Sequence, residues 1–327
     1  MQTTALTILS QAHQWLSAHQ TVYLITVIHT WGSAPRPVGS LLAINASGEL
    51  IGSVSGGCVE GDIIERILQG EFKQISRLHY GITKEQSERF GLPCGGVLEL
   101  LLEPLQSVDS IQPIIHALEQ RQLIQRRVNL QSGDVYWQYP QQEIPLIATD
   151  NYLTHVYGAV WRLLIIGAAH ASHYLAEFAI PLDYQVIVCD PREEYASSWQ
   201  LAGTELSREM PDDAVLKYVK DNRCAVVTLT HDPKLDDMAL LEALNSPAFY
   251  VGALGSKKST EARRARLIDL GMSPQALAQL HAPVGLPIGS RTPPEIAIAI
   301  LAEMMTKRTS LLTPITERKF STHYAIA

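Results

Sequence analysis

Two short apolar runs, at 163–166 (Leu-Leu-Ile-Ile) and 185–189 (Gln-Val-Ile-Val-Cys), limit what this chain can fold into more than any other feature. Neither run alternates apolar with polar residues, so each reads as a strand covered on both faces, as in a parallel sheet. Parallel neighbours need a crossover between them. Residues 167–172 supply a turn and 174–179 a helical spacing, which predicts the βαβ opening of a Rossmann-like domain. Asp190 ends the second run, close to the spacing of about 20 residues at which such folds place an acid for a ribose. The glycine fingerprint is incomplete. Gly167 holds its first position, but Ala169 and Ser172 stand where the next two glycines would be, which weakens the expectation of a bound pyrophosphate.

Downstream strands at 225–229 and 249–252 carry two further groups to strand ends. The first is Thr230-His231-Asp232. The second is Gly255-Ser256-Lys257, which resembles an anion cradle at a strand-to-helix junction. Arg263, Arg264 and Arg266 follow on a basic helix, and at least two of them are expected to serve salt bridges or a solvated face. Thr292 reads as a helix N-cap with Pro293 and Glu295 behind it. Gly167, His170, Asp190, His231, Asp232, Ser256 and Lys257 thus form a candidate nucleotide or anion site at the carboxyl ends of the sheet.

A chain of 327 residues exceeds the usual single core, so a second domain is expected ahead of this one. Residues 1–105 are assigned to it, 106–160 to a connecting region, and 161–327 to the Rossmann-like domain. The N-terminal part reads as mixed α+β. Leu6, Leu9, Ala12 and Leu16 mark a helix, 22–28 a β-branched strand, and 40–45 with 50–54 a hairpin. A helix is predicted over 59–68 and strands over 74–80 and 97–102. Weaker signals give a helix at 111–118 and a hairpin from 128–130 to 135–139, while 140–154 reads as an inter-domain connection.

The chemistry of the first domain sits in its loops. Arg36 lies between Pro35 and Pro37, just after His29 and Trp31, and a planar guanidinium on so stiff a backbone suits a phosphate or carboxylate. A solvated turn is the plainer alternative. Gly56, Gly57 and Cys58 precede the predicted helix at 59–68, where unpaired amides and the helix dipole favour a thiolate or an anionic ligand. A tight turn with a small buried cysteine fits the same residues. Cys94, Gly95 and Gly96 repeat the combination before the strand at 97–102. Two thiols at glycine-rich chain ends are expected to line one mouth of the domain, as a redox pair, a shared ligand to a soft metal or a sulfur-handling site.

The formal net charge of −7 disfavours nucleic acid as the main partner. No apolar run is long enough to span a bilayer and no secretory signal is evident, so a cytoplasmic protein without membrane attachment is expected. The cysteines at 58, 94, 189 and 224 form no C-x-x-C pair, and they are read as free thiols rather than disulfides or zinc ligands.

Several of these motifs together resemble a known family. Gly32-Ser-Ala-Pro-Arg36 with Gly39, the run from Gly52 to Glu60, and Cys94-Gly-Gly96 are similar to the N-terminal half of XdhC-type xanthine dehydrogenase accessory proteins. Asp190-Pro-Arg192, Thr230-His-Asp232, Tyr250 to Lys257, and Ala282 to Glu295 resemble that family's Rossmann-like half in kind and order. Ala169 departs from it where the family often has glycine. The resemblance implies a chaperone that binds the molybdenum cofactor, supports its sulfuration with a cysteine desulfurase and inserts it into an apo-molybdoenzyme large subunit of the xanthine dehydrogenase type. Cofactor-synthesis proteins are further expected partners, and a homo-oligomer is expected. Cys58, Cys94, Arg36, Gly56, Gly57, Gly95 and Gly96 are the expected cofactor contacts, with no metal site and no catalytic residue of the chain's own. One alternative is an NAD(P)-dependent oxidoreductase using Asp190 for the ribose and His231 as proton donor. Another is a thiol hydrolase or transferase with Cys58 as nucleophile and His29 as base.

Overall fold

The computed structural model describes residues 5–31, 36–57, 59–81, 97–141 and 143–312. The chain forms two compact units, one ending at Ala159 and the other beginning at Val160. In the first, α1 (Ala5–Ser17) leads into β1 (Val22–Trp31) and then the hairpin strands β2 (Leu41–Asn45) and β3 (Leu50–Gly52). After α2 (Glu60–Leu68) come β4 (Ser76–Tyr80) and β5 (Val97–Leu105). The five strands make one antiparallel sheet in the order β3-β2-β1-β5-β4. Continuous apolarity in β1 follows from cover on both faces. Tyr23, Ile25 and Val27 pack with Ile63 and Ile67 of α2, whereas Val22 and Leu24 pack with Leu9 and Ala12 of α1.

The stretch expected to be a connecting region is part of the first unit and shares its core. It contains α3 (Gln112–Glu119) and the strands β6 (Ile124–Asn129), β7 (Val135–Gln138), β8 (Ile147–Ala148) and β9 (Tyr152–Tyr157), paired antiparallel in the order β7-β6-β9-β8. Burial explains the order found there. Leu153 packs with Ile28 and Leu101 of the larger sheet, and Ile124 and Tyr157 enter the core shared by α1 and α3.

The second unit alternates strand and helix: β10 (Trp161–Ile166), α4 (His170–Ala179), β11 (Tyr184–Cys189), α5 (Glu193–Ala196), β12 (Thr204–Ser207) and α6 (Pro211–Tyr218). It continues through β13 (Cys224–Thr228), α7 (Pro233–Ala243), β14 (Tyr250–Ala253), α8 (Lys257–Asp269), α9 (Pro274–Leu277), β15 (Leu280–His281) and α10 (Pro293–Leu312). The sheet is parallel throughout, in the order β12-β11-β10-β13-β14-β15. Alternate strand residues face opposite helix layers. Leu163, Ile165 and Val186 pack with Leu175 of α4 and Ile300 of α10, whereas Leu164, Ile166 and Ile187 pack with Val215 of α6 and Leu240 of α7. Strand order reverses at β10 and β13, so the ends of these two strands form the switch point at which such sheets hold ligands. No helix among the described residues is long and apolar enough to cross a membrane.

Candidate functional site

Strand register gathers three loops of the first unit at one end of its five-stranded sheet. Trp31, at the end of β1, pairs with Val97 at the start of β5, and Tyr80, at the end of β4, pairs with Leu98. Thr26 pairs with Leu41 at the start of β2, and Leu42 with Gly52 at the end of β3. The strand ends that flank segments 32–40 and 81–96 therefore lie at this one end, and the chain leaves β3 there on its way to α2. Arg36 is exposed in the first of these segments. The backbone behind it is fixed, with Gly39 N–H donating to Val27 O at 2.8 Å. Gly39 has φ +89°, and a Cβ there would lie 3.3 Å from His155 Nε2, so a glycine lets this loop pass close to β9. His29 and Trp31 are exposed at the same end, their rings stacked 3.8 Å apart.

The 53–57 loop is wrapped around a carboxylate. Glu60, in the first turn of α2, is 6% exposed, and its Oε1 accepts from Ser53 Oγ at 2.9 Å and from the Val54 and Ser55 amides at 3.0 Å each. Its Oε2 accepts from Gly57 N–H at 3.1 Å and from the Ser55 hydroxyl. Burial alone would raise the pKa of Glu60, but the bonds from Ser55 and Ser53 outweigh it and hold the group at about 2. Gly56 N–H donates to Ser53 Oγ at 2.9 Å. The two glycine amides expected to meet an external anion are thus engaged within the loop. Glu60 is the residue that sequence reasoning missed, and its signal was an acid placed where a helix amino end accepts one. Cys58, Cys94, Gly95 and Gly96 lie outside the described residues. The other two cysteines, Cys189 and Cys224, are buried free thiols, and burial pushes Cys189 up to about 12, which makes it a poor nucleophile.

In the second unit the predicted residues do share one edge. Ile166 pairs with Cys189 and with Thr228, and Thr228 with Ala253, so Gly167, Asp190, the 230–232 turn and the 254–257 turn follow adjacent strand ends. Gly167 has φ +109°, and a Cβ there would lie 3.0 Å from Thr230 N, so only glycine fits this crossing. Local partners already occupy the two carboxylates and the serine of this set. Asp190 is fully buried, and its Oδ1 accepts from Arg192 N at 3.1 Å and Nε at 2.9 Å, its Oδ2 from Ala168 N and Arg192 Nη2 at 2.8 Å each. Burial raises its pKa, but these bonds outweigh that and lower it. Asp232 caps α7 by accepting from Lys234 N–H, and Ser256 caps α8 by accepting from Ser259 N–H. Lys257 is exposed at the start of α8, His170 is exposed at the start of α4, and His231 is exposed with φ +61°. Of the helix arginines, Arg263 is 5% exposed and paired with Asp236, and Arg266 pairs with Asp237. No group of three or more metal-ligating side chains occurs among the described residues.

Two family models match the chain in order. "XdhC and CoxI family" covers residues 15–81, which include the Arg36 and Glu60 loops, and "XdhC Rossmann domain" covers 163–304, which include the strand ends just described. The chain belongs to the XdhC family. Among curated relatives, the Escherichia coli molybdenum cofactor insertion chaperone PaoD is 29% identical, with 92% of this chain and 88% of PaoD aligned. A Bacillus subtilis protein named as a probable xanthine dehydrogenase subunit is 25% identical over 90% of this chain and 95% of its own length. A crystal structure from Bacillus halodurans, described as a xanthine dehydrogenase, superposes with a TM-score of 0.72 at 24% identity, over 96% of this chain and 97% of that one, which fixes the shared fold. In this XdhC chain the Rossmann half and the loop-bearing half are therefore separate units, each with its own set of polar groups at a sheet end.

Proposed function

We propose that this chain is a molybdenum cofactor insertion chaperone: it holds the cofactor at the loop-bearing end of the first unit, supports its sulfuration and delivers it to an apo-enzyme of the xanthine dehydrogenase type. The strand register of the larger sheet carries this reading, because the end of β3, which leads towards Cys58, and Val97, which directly follows Cys94-Gly95-Gly96, lie at the sheet end where β1 runs out towards Arg36. Thiolates suit a soft molybdenum dithiolene cargo. Glu60 already fills the amino end of α2 and the Gly57 amide with negative charge, so recognition of an anionic cofactor group falls to the exposed Arg36. A Cβ on Gly57 would meet nothing within 4 Å, which is consistent with a loop crest open to cargo. The name and the near full-length alignment of PaoD support the same role.

In this reading the protein acts in the cytoplasm with the large subunit of its client, a cysteine desulfurase, cofactor-synthesis proteins and further copies of itself as partners. The oxidoreductase alternative is disfavoured by Asp190. A carboxylate offers about four acceptor positions, and four donors of this chain fill them, which leaves none for a ribose hydroxyl. The test is transfer. Chain loaded with sulfurated cofactor should activate a cofactor-free xanthine dehydrogenase-type enzyme faster than equimolar free cofactor does. Equal rates with and without the chain would refute insertion.

A further inference from the structure

The second unit contains a cleft beside the β10–α4 turn. It has a volume of about 700 Å³ and lies between the amino end of α4 and the 195–202 segment that follows α5. That volume is within the range of small-molecule sites. Four of the side chains that line it are rings. His170 and His173 come from α4, Tyr195 and Trp199 from the opposite side, with Ala168 and Gln200 between them. Apart from the two histidines, no side chain lining it is ionisable at neutral pH.

We propose that this cleft is a binding site for a planar nitrogen heterocycle, a pterin or a nucleobase. The rings are held ready for it. Trp199 Nε1 donates to Thr204 Oγ1 at 2.9 Å, and His173 packs edge-on against Trp199, with centroids 5.7 Å apart and planes at 66°. Arg192 lies over the Tyr195 ring at 4.0 Å while its guanidinium is clamped by Asp190. The Asp190–Arg192 pair that closes the ribose position therefore also braces one wall of the cleft. None of the lining rings stacks face to face on another among the described residues, so apart from the Tyr195 face that Arg192 covers their faces are free for a flat guest. The Gln200 amide, with both donor and acceptor atoms, matches the edge pattern of such a heterocycle. A guest bound here is read by stacking and edge bonds rather than by charge, in contrast to a dinucleotide held through its ribose and pyrophosphate.

The inference goes beyond the chaperone reading and stands on a different unit. It is tested by calorimetric titration of the full chain with 6-hydroxymethylpterin, adenosine monophosphate and cytidine monophosphate, with ribose 5-phosphate as the ring-free control. At least one ring compound should bind and ribose 5-phosphate should not, and the compound that binds identifies the source of the ring. His173→Ala and Tyr195→Ala, both at exposed positions, should each weaken binding about tenfold through loss of a stacking partner. Ala202→Trp, which fills the cleft, should abolish it, with circular dichroism unchanged in all three variants. Cys58→Ala should leave it unaltered, which separates this site from the cofactor loops. Absence of binding by every ring compound, equal binding of ribose 5-phosphate, or binding that survives all three cleft variants would overturn the proposal.

Discussion

A half-buried histidine and a buried carboxylate of the first unit are expected to make its stability acid-sensitive in successive pH windows. His155 is pushed down to about 4 by burial and by the positive charge of Arg126, so it is neutral in the folded chain. The unfolded chain binds the proton first, and stability falls as pH drops from about 6.5 to 4. Glu60, held at about 2, is a depressed carboxylate, and its contribution is present above about 4.5 and lost as pH falls towards 2. At about 1.4 kcal/mol per pH unit, each group accounts for up to roughly 3 kcal/mol. His155→Phe should flatten the upper window and leave the lower one in place, as read by hydrogen exchange of β9 amides from pH 7 to 4. Glu60→Gln should remove the lower window and cost about 2 kcal/mol at pH 7, because an amide cannot accept from all the donors around it. A Glu60→Gln protein as stable as the parent at pH 7 would mean that the 53–57 loop is held some other way.

At the scale of elements, the smaller sheet of the first unit is joined to the larger one by a buried ion pair. Arg126 of β6 donates from both Nη1 and Nη2 to Glu103 of β5 at 3.0 Å, and each side chain is 2% exposed. Arg126→Met alone strands a buried carboxylate and should cost about 3–5 kcal/mol, whereas Arg126→Met with Glu103→Leu should recover most of that loss. Urea unfolding followed by exchange in β5 and β6 reads both, and equal losses in the single and double variants would contradict the pairing. This part of the fold was the least legible in the sequence. β9 exposes Tyr152 in part and alternates irregularly, and its apolar partners Ile28 and Leu101 come from distant strands, so local periodicity over 140–154 gave only a connection. The strands around β10 were legible because parallel strands covered on both faces are continuous apolar runs. α4 was read as starting at Tyr174 rather than His170, since its first turn, His-Ala-Ser-His, has no apolar periodicity and no capping side chain. In the candidate site, the sequence located Arg36 and the glycine turn but assigned the loop amides to an outside anion. A carboxylate three residues beyond Gly57 competes for them at far higher effective concentration.

At the scale of the whole molecule, the two units divide recognition by chemistry. The first has an exposed Arg36 beyond the sheet end at which β3 ends and β5 begins, and the second ties Asp190 to Arg192 at its strand ends and leaves an aromatic cleft beside them. Membership of the XdhC family and the relatedness to PaoD are in keeping with the proposed chaperone reading. The most direct test is cofactor uptake. Purified full-length chain is incubated with molybdenum cofactor released from a donor enzyme, freed of unbound cofactor, and assayed for molybdenum and pterin per chain. The parent should retain both in equal amounts, Cys58→Ala and Cys94→Ala should each retain less than about a tenth as much, and Arg36→Ala should retain an intermediate amount, consistent with loss of one charged bond. Retention by both cysteine variants equal to the parent, or no retention by the parent, would contradict the account.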